Sequence, residues 1–149
     1  MAWLNIFREH LRLYLVTDRR WNAEGWLADV ETAIENGVTC VQLREKDLDD
    51  ATFLSLAKEM RELTLKTNVP FIVNDHIEIA IAAEADGVHI GQGDLKASEA
   101  RRLLGKDRIL GVSVSTVEEA LKAEMDGGDY LGVGAMFVTS TKEDANGVS

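Results

Sequence analysis

Five groups of polar side chains recur along this 149-residue chain, at positions 42–46, 74–75, 92–94, 113 and 139–142. Gln42, Arg44 and Lys46 set an amide and two cations at alternate positions, so Gln42 and Arg44 share one face of an extended strand, with Lys46 at its rim. Two cations and an amide aimed at one cavity suit a phosphorylated ligand. Asn74-Asp75 and, one segment later, Asp94 add two carboxylates, hard oxygen donors that suit Mg²⁺. Asn-Asp also suits a plain helix cap. Ser113 supplies a small hydroxyl that could serve a turn or a phosphate. Thr139-Ser140-Thr141-Lys142 is a hydroxyl-rich run with one cation, a composition common where backbone and side chains cradle phosphate.

Each group closes a short run rich in Val, Ile and Leu: CVQLREK, PFIVND, GVHIGQGD, RILGVS and YLGVGAMFVTSTK. Six strands are expected, near 13–17, 39–44, 71–74, 87–90, 109–113 and 130–134. Helical patterns lie between them, over 26–36, 50–66, 75–85, 98–104 and 116–125, with an added helix near 3–11. The 50–66 segment has apolar residues at 53, 54, 56, 57, 60 and 63, the helical period. Thr116 with Glu119 forms a capping-box signature, and Gly37 and Gly127 stop helices. Unbroken alternation of strand and helix, with no linker, implies one α/β domain over 1–149 and a parallel sheet. In such a sheet all downstream strand ends face one side, and in a barrel they ring one mouth. Five consecutive strands contribute polar groups, which favours a barrel over an open sheet with its site at a switch point. The expectation is a (β/α)8 TIM-type barrel truncated after strand six, with strands seven and eight missing, so that open edges could pair with another copy.

Composition narrows the function. Twenty-six acidic against sixteen basic residues give a net charge of −10, which disfavours non-specific nucleic-acid binding. A phosphorylated ligand then needs the local Arg/Lys cluster, a metal ion, or both. Cys40, the single cysteine, excludes an internal disulfide and reads as core filler at the start of a strand. No apolar run approaches the roughly 20 residues of a membrane span, and MAWLNIFREHLR lacks a signal-peptide pattern, so a cytoplasmic protein with no membrane partner is expected. His89 reads as a packed, hydrogen-bonded core residue, and no hydrolase motif is present.

The runs LYLVTDR, VQLREK, IVNDH, ADGVHIGQGDL, LGVSVST, DYLGVGAMFVTSTK and DANGVS, in that order, resemble the thiamine-phosphate synthase (thiamine-phosphate pyrophosphorylase) family. The resemblance implies a transferase of thiamine biosynthesis that couples hydroxymethylpyrimidine diphosphate with thiazole phosphate and releases diphosphate. It implies that Asp75 and Asp94 hold Mg²⁺, and that Arg44, Lys46, Asn74, Ser113 and Lys142 contact the diphosphate. Of these, Arg44, Lys46, Ser113 and Lys142 would act in catalysis. Gln42 would orient the pyrimidine, and Thr139 and Thr141 the thiazole phosphate. GVGAMFVTST and Gly93 depart from the family pattern, and the family's phosphate contacts after strands seven and eight have no counterpart. Alternatives are a thiazole tautomerase-like sibling, whose histidine after strand five is Ser115 here, and a non-catalytic truncated paralogue that binds a phosphorylated ligand.

Overall fold

A parallel strand covered on both faces needs a continuous apolar run rather than an alternating one. CVQL, FIVN and GVHI meet that demand, and every residue in those three strands is buried. The computed structural model describes residues 8–137, which fall into two compact units divided after Val88. Thr139, Thr141 and Lys142 lie outside the described residues. So does most of the helix expected at 3–11, of which residues 8–10 are helical.

In the first unit β1 (Tyr14–Val16), β2 (Cys40–Leu43) and β3 (Phe71–Asn74) pair in parallel, with Val16 opposite Gln42 and Gln42 opposite Ile72. Helix α1 (Trp26–Glu35) joins the first two strands and α2 (Asp50–Thr67) the next two. Helix α2 is capped by Asp49, whose carboxylate accepts from the Thr52 amide at 3.0 Å, and it buries Phe53, Ala57, Met60 and Leu63 as one stripe. Cys40 is fully buried, and that burial, reinforced by the charge of Asp86, pushes its thiol up to about 12; it is filler, not a nucleophile.

Helix α3 (Ile77–Ala82) is shorter than the 75–85 expected. Asp75 adopts φ 64°, in the left-handed region, and the His76 amide donates to the Asn74 carbonyl at 2.8 Å. This tight turn delays the helix by two residues. Neither Asn74 nor Asp75 caps it, because His76 occupies the N-cap position.

β4 (Gly87–Ile90) crosses the boundary between the units. The second unit continues with α4 (Ala97–Leu104), β5 (Ile109–Val114), α5 (Val117–Met125) and β6 (Tyr130–Val133). β5 and β6 are parallel, with Gly111 opposite Tyr130 and Ser113 opposite Gly132. The capping box at α5 is present in full. Val117, Leu121 and Met125 form an exposed stripe along α5, and Leu131 and Val133 are exposed on β6.

One device recurs at the upstream ends of strands. Asp86, just before β4, accepts from the Phe71 amide at 2.8 Å and from Arg61 at 3.0 Å. Asp129, just before β6, accepts from the Leu110 amide at 2.8 Å and from Arg101 at 2.5 Å. Each carboxylate ties the first turn of one strand to the start of its predecessor and to the helix before it.

Candidate functional site

The segment after β2 carries Arg44, Glu45 and Lys46, and neighbours hold it in place. The Arg44 amide donates to Thr17 Oγ1 at 3.1 Å, and Arg19 pairs with Glu45 at 2.6 Å. Both side chains of that pair are largely buried, so it fixes the backbone from which Lys46 projects. Lys46 Nζ donates to Asp75 Oδ2 at 2.7 Å. Two residues from separate sequence clusters are thus brought together at the downstream ends of β2 and β3. The left-handed turn at Asp75 aims its carboxylate there, and strained backbone of this kind concentrates at functional sites.

Beside it, Asn74 is buried, and its Nδ2 has no hydrogen-bond partner among the described residues. An amide N–H₂ left unmatched in a buried position costs about 1–3 kcal/mol, which an acceptor on a ligand would recover. Gln42 is buried and donates from Nε2 to the Tyr14 hydroxyl at 2.8 Å. That bond orients the amide, and Tyr14 is a contributor the sequence did not single out. Asp18 is drawn to about 2, chiefly by hydrogen bonds from the Arg20 side chain, with the positive charge of Arg44 adding to the effect. Arg44 therefore stands in a region where anions are stabilised.

In the second unit Asp94 is exposed and follows β4. Its Oδ2 accepts from the Gly91 amide at 2.7 Å, which folds the 91–94 loop and fixes the carboxylate. Ser113 lies within β5, not in the turn after it. Its Oγ is 2.8 Å from His89 Nε2, and its carbonyl accepts from Gln92 Nε2 at 2.8 Å. His89 is buried and hydrogen-bonded as expected, but its partner is a candidate site residue.

The backbone amides just before α5 are already satisfied. Glu119 accepts from the Ser115 amide at 2.7 Å, from the Ser115 hydroxyl at 3.1 Å and from the Thr116 amide at 3.3 Å. These bonds, the Ser115 amide first, hold the Glu119 carboxyl below its ordinary range. A carboxylate thus holds the turn that leads into the helix.

Among the described residues no three His, Cys, Asp or Glu side chains form a cage. A hard ion such as Mg²⁺ keeps several waters and commonly takes one or two carboxylates together with substrate phosphates. Asp75 and Asp94, each downstream of its own strand, have the right chemistry for that mode.

The family model described as thiamine monophosphate synthase matches residues 13–149. The thiamine-phosphate synthase of Methanobrevibacter smithii is 49% identical over 138 residues, covering 93% of this chain and 66% of that protein. That of Clostridium acetobutylicum is 52% identical over 139 residues, with 93% and 66% covered. Among solved structures, thiamine phosphate pyrophosphorylase from Pyrococcus furiosus superposes with a TM-score of 0.82 at 38% identity, covering 88% of this chain and 63% of that one. The chain spans about two thirds of the length of the curated relatives it matches. An α/β fold of strands alternating with helices, a collinear sequence match and a superposable relative agree: the chain belongs to the thiamine monophosphate synthase family.

Proposed function

We propose that this chain binds hydroxymethylpyrimidine diphosphate with Mg²⁺ and contributes to its coupling with thiazole phosphate, with release of diphosphate. The observation that carries the reading is Asn74 Nδ2, buried without a partner among the described residues, beside Asp75 in its strained turn. The relatives bear names of the same activity.

In this reading the bond from the pyrimidine methyl carbon to the diphosphate oxygen breaks, and one from that carbon to the thiazole nitrogen forms. No protein nucleophile is needed. The chain must stabilise the charge that grows on the leaving oxygens, where fixed charges and donors act best. Arg44, Lys46 and Lys142 supply cations, and Asn74 Nδ2 and the Ser113 hydroxyl supply hydrogen bonds. Asp75 and Asp94 would hold the magnesium ion, which supplies charge neutralisation on the diphosphate. Lys46 neutralises Asp75 in the resting site and turns its ammonium to the diphosphate oxygens when Asp75 is otherwise engaged. Gln42, oriented by Tyr14, addresses the pyrimidine, and Thr139 and Thr141 the thiazole phosphate. Positioning the two substrates in line supplies the rest.

The architecture proposed for the active protein is an eight-unit barrel. Further βα units would seat on the apolar faces of β6 and α5 that are exposed among the described residues. A tautomerase-like reaction fits less well, because Ser115, at the position that reading assigns to histidine, is engaged by Glu119 at the start of α5.

Calorimetric titration with hydroxymethylpyrimidine diphosphate tests the proposal. Binding should require Mg²⁺ and disappear in Asp94→Ala. Equal heats in the variant and the parent, or binding indifferent to magnesium, would remove the ion from the site.

A further inference from the structure

The Ser113 hydroxyl ends a hydrogen-bonded row whose other members, His89 and Tyr130, the mechanism above does not use. His89 Nε2 lies 2.8 Å from Ser113 Oγ, and His89 Nδ1 lies 2.9 Å from the Tyr130 hydroxyl. The two rings are 5.4 Å apart and tilted by 43°. The strands make room for both. A Cβ on Gly132 would come within 2.9 Å of His89 Cε1, and one on Gly111 within 2.1 Å of the Tyr130 ring. Gly111 faces Tyr130 and Ser113 faces Gly132 across the β5–β6 register. Two strand positions that could hold core side chains are left empty so that an imidazole and a phenol can line up behind one serine.

We propose that His89 and Tyr130 are positioning residues that turn the Ser113 hydroxyl hydrogen outward, as a donor to a diphosphate oxygen. This rests on the reading of Ser113 as an anion contact. A neutral imidazole offers one donor and one acceptor, so two proton orders satisfy both bonds. In one, Tyr130 donates to Nδ1 and Nε2–H donates to Ser113 Oγ, which frees the serine hydrogen for the ligand. In the other, Nδ1–H donates to Tyr130, Nε2 accepts from the serine, and Ser113 presents only lone pairs to the anion. A phenol is more acidic than a serine alcohol and so is the better donor in the row. Aligned donors also strengthen one another. Both effects select the first order, the only one that serves an anion.

The test is the tautomer, read on the chain labelled with ¹⁵N-histidine by long-range ¹H–¹⁵N spectra, with His89 assigned by comparing His10 and His76 variants. The expected result is the Nε2–H form, shifting toward a mixture in Tyr130→Phe, which keeps the ring over Gly111. An Nδ1–H or doubly protonated His89 overturns the proposal. Binding of inorganic diphosphate with Mg²⁺ supplies the second arm. Ser113→Ala and Tyr130→Phe should each weaken it about fivefold, the worth of one hydrogen bond, and the double variant should be no worse than Ser113→Ala. A loss confined to Ser113→Ala, with Tyr130→Phe like the parent, overturns the positioning role. No loss in either variant overturns it through the anion-contact reading instead, and the tautomer result tells the two failures apart.

Discussion

Asp75 offers a way to separate what a residue does for folding from what it does for binding. Its φ of 64° is one that glycine adopts without strain and alanine does not. Replacing it by glycine relieves about 1 kcal/mol of left-handed strain. It also gives up the ion pair with Lys46, which is 41% exposed, so that loss is below about 1 kcal/mol. The freer unfolded chain costs another ~0.5–1 kcal/mol. These terms cancel to within about 1 kcal/mol, so Asp75→Gly should unfold in urea close to the parent when followed by tryptophan fluorescence. Asp75→Ala keeps the strain and loses the pair but escapes the unfolded-chain cost, so it should match the glycine variant to within about 0.5 kcal/mol. Binding should behave differently. Either variant should lower the affinity for magnesium and hydroxymethylpyrimidine diphosphate by about 100-fold or more, since even groups that only support a metal ligand cost 10–100-fold. Loss of more than about 2 kcal/mol in Asp75→Gly would mean the carboxylate is built into the fold. Calorimetric binding equal to the parent in a stable Asp75→Gly would refute its place in the site.

The upstream aspartates should respond in the opposite sense. Asp86→Ala and Asp129→Ala each strip the partner from a fully buried residue's amide, Phe71 or Leu110, and remove the carboxylate from a largely buried arginine, so each should cost about 2–3 kcal/mol in urea unfolding. Asp126→Ala, which loses only the helical-surface pair with the exposed Lys122, should cost less than about 0.5 kcal/mol; equal losses across the three would contradict the clamp. Asp18 predicts a shallow acid limb. Its carboxyl is depressed from 3.8 to about 2, so its stabilisation is present above pH 3.8 and fades as the pH falls toward 2. Because Arg20 is mostly exposed, the amplitude should stay below about 1 kcal/mol and shrink in 1 M salt. Asp18→Asn should remove it, and an unchanged stability–pH curve would show that the contact contributes nothing.

What sequence could show tracks what is local. Phe71–Asn74 and Gly87–Ile90 match their expected bounds, since apolar runs punctuated by polar turns define strands without tertiary information. The capping box at Thr116 was equally readable, being a pattern of two residues. The late start of α3 was not, because an aspartate in the left-handed region is chosen by the surrounding site rather than by propensity. The unmatched amide of Asn74 was invisible for the same reason: it depends on what does not sit beside it. His89 reads from the sequence as a satisfied core histidine and is one, but which groups satisfy it depends on the tertiary fold. Gly111 and Gly132 carried a signal, since a small residue within a strand marks close approach of something large.

Strand direction orders the acidic residues. Asp86 and Asp129 precede β4 and β6, and each accepts from a buried backbone amide and an arginine. Such a carboxylate is committed, and moving it would orphan groups that have no water to turn to. Asp75 follows its strand and pairs through a lysine that is substantially exposed; Asp94 follows its strand and braces an exposed loop. Those interactions can be exchanged at small cost, because solvent can stand in for them while a ligand enters. The same residue type therefore acts as a clamp before a strand and as an exchangeable partner after one. In a chain of net charge −10, this division is what the proposed reading needs: a few acids left exchangeable for an anion-binding site while the others hold the scaffold.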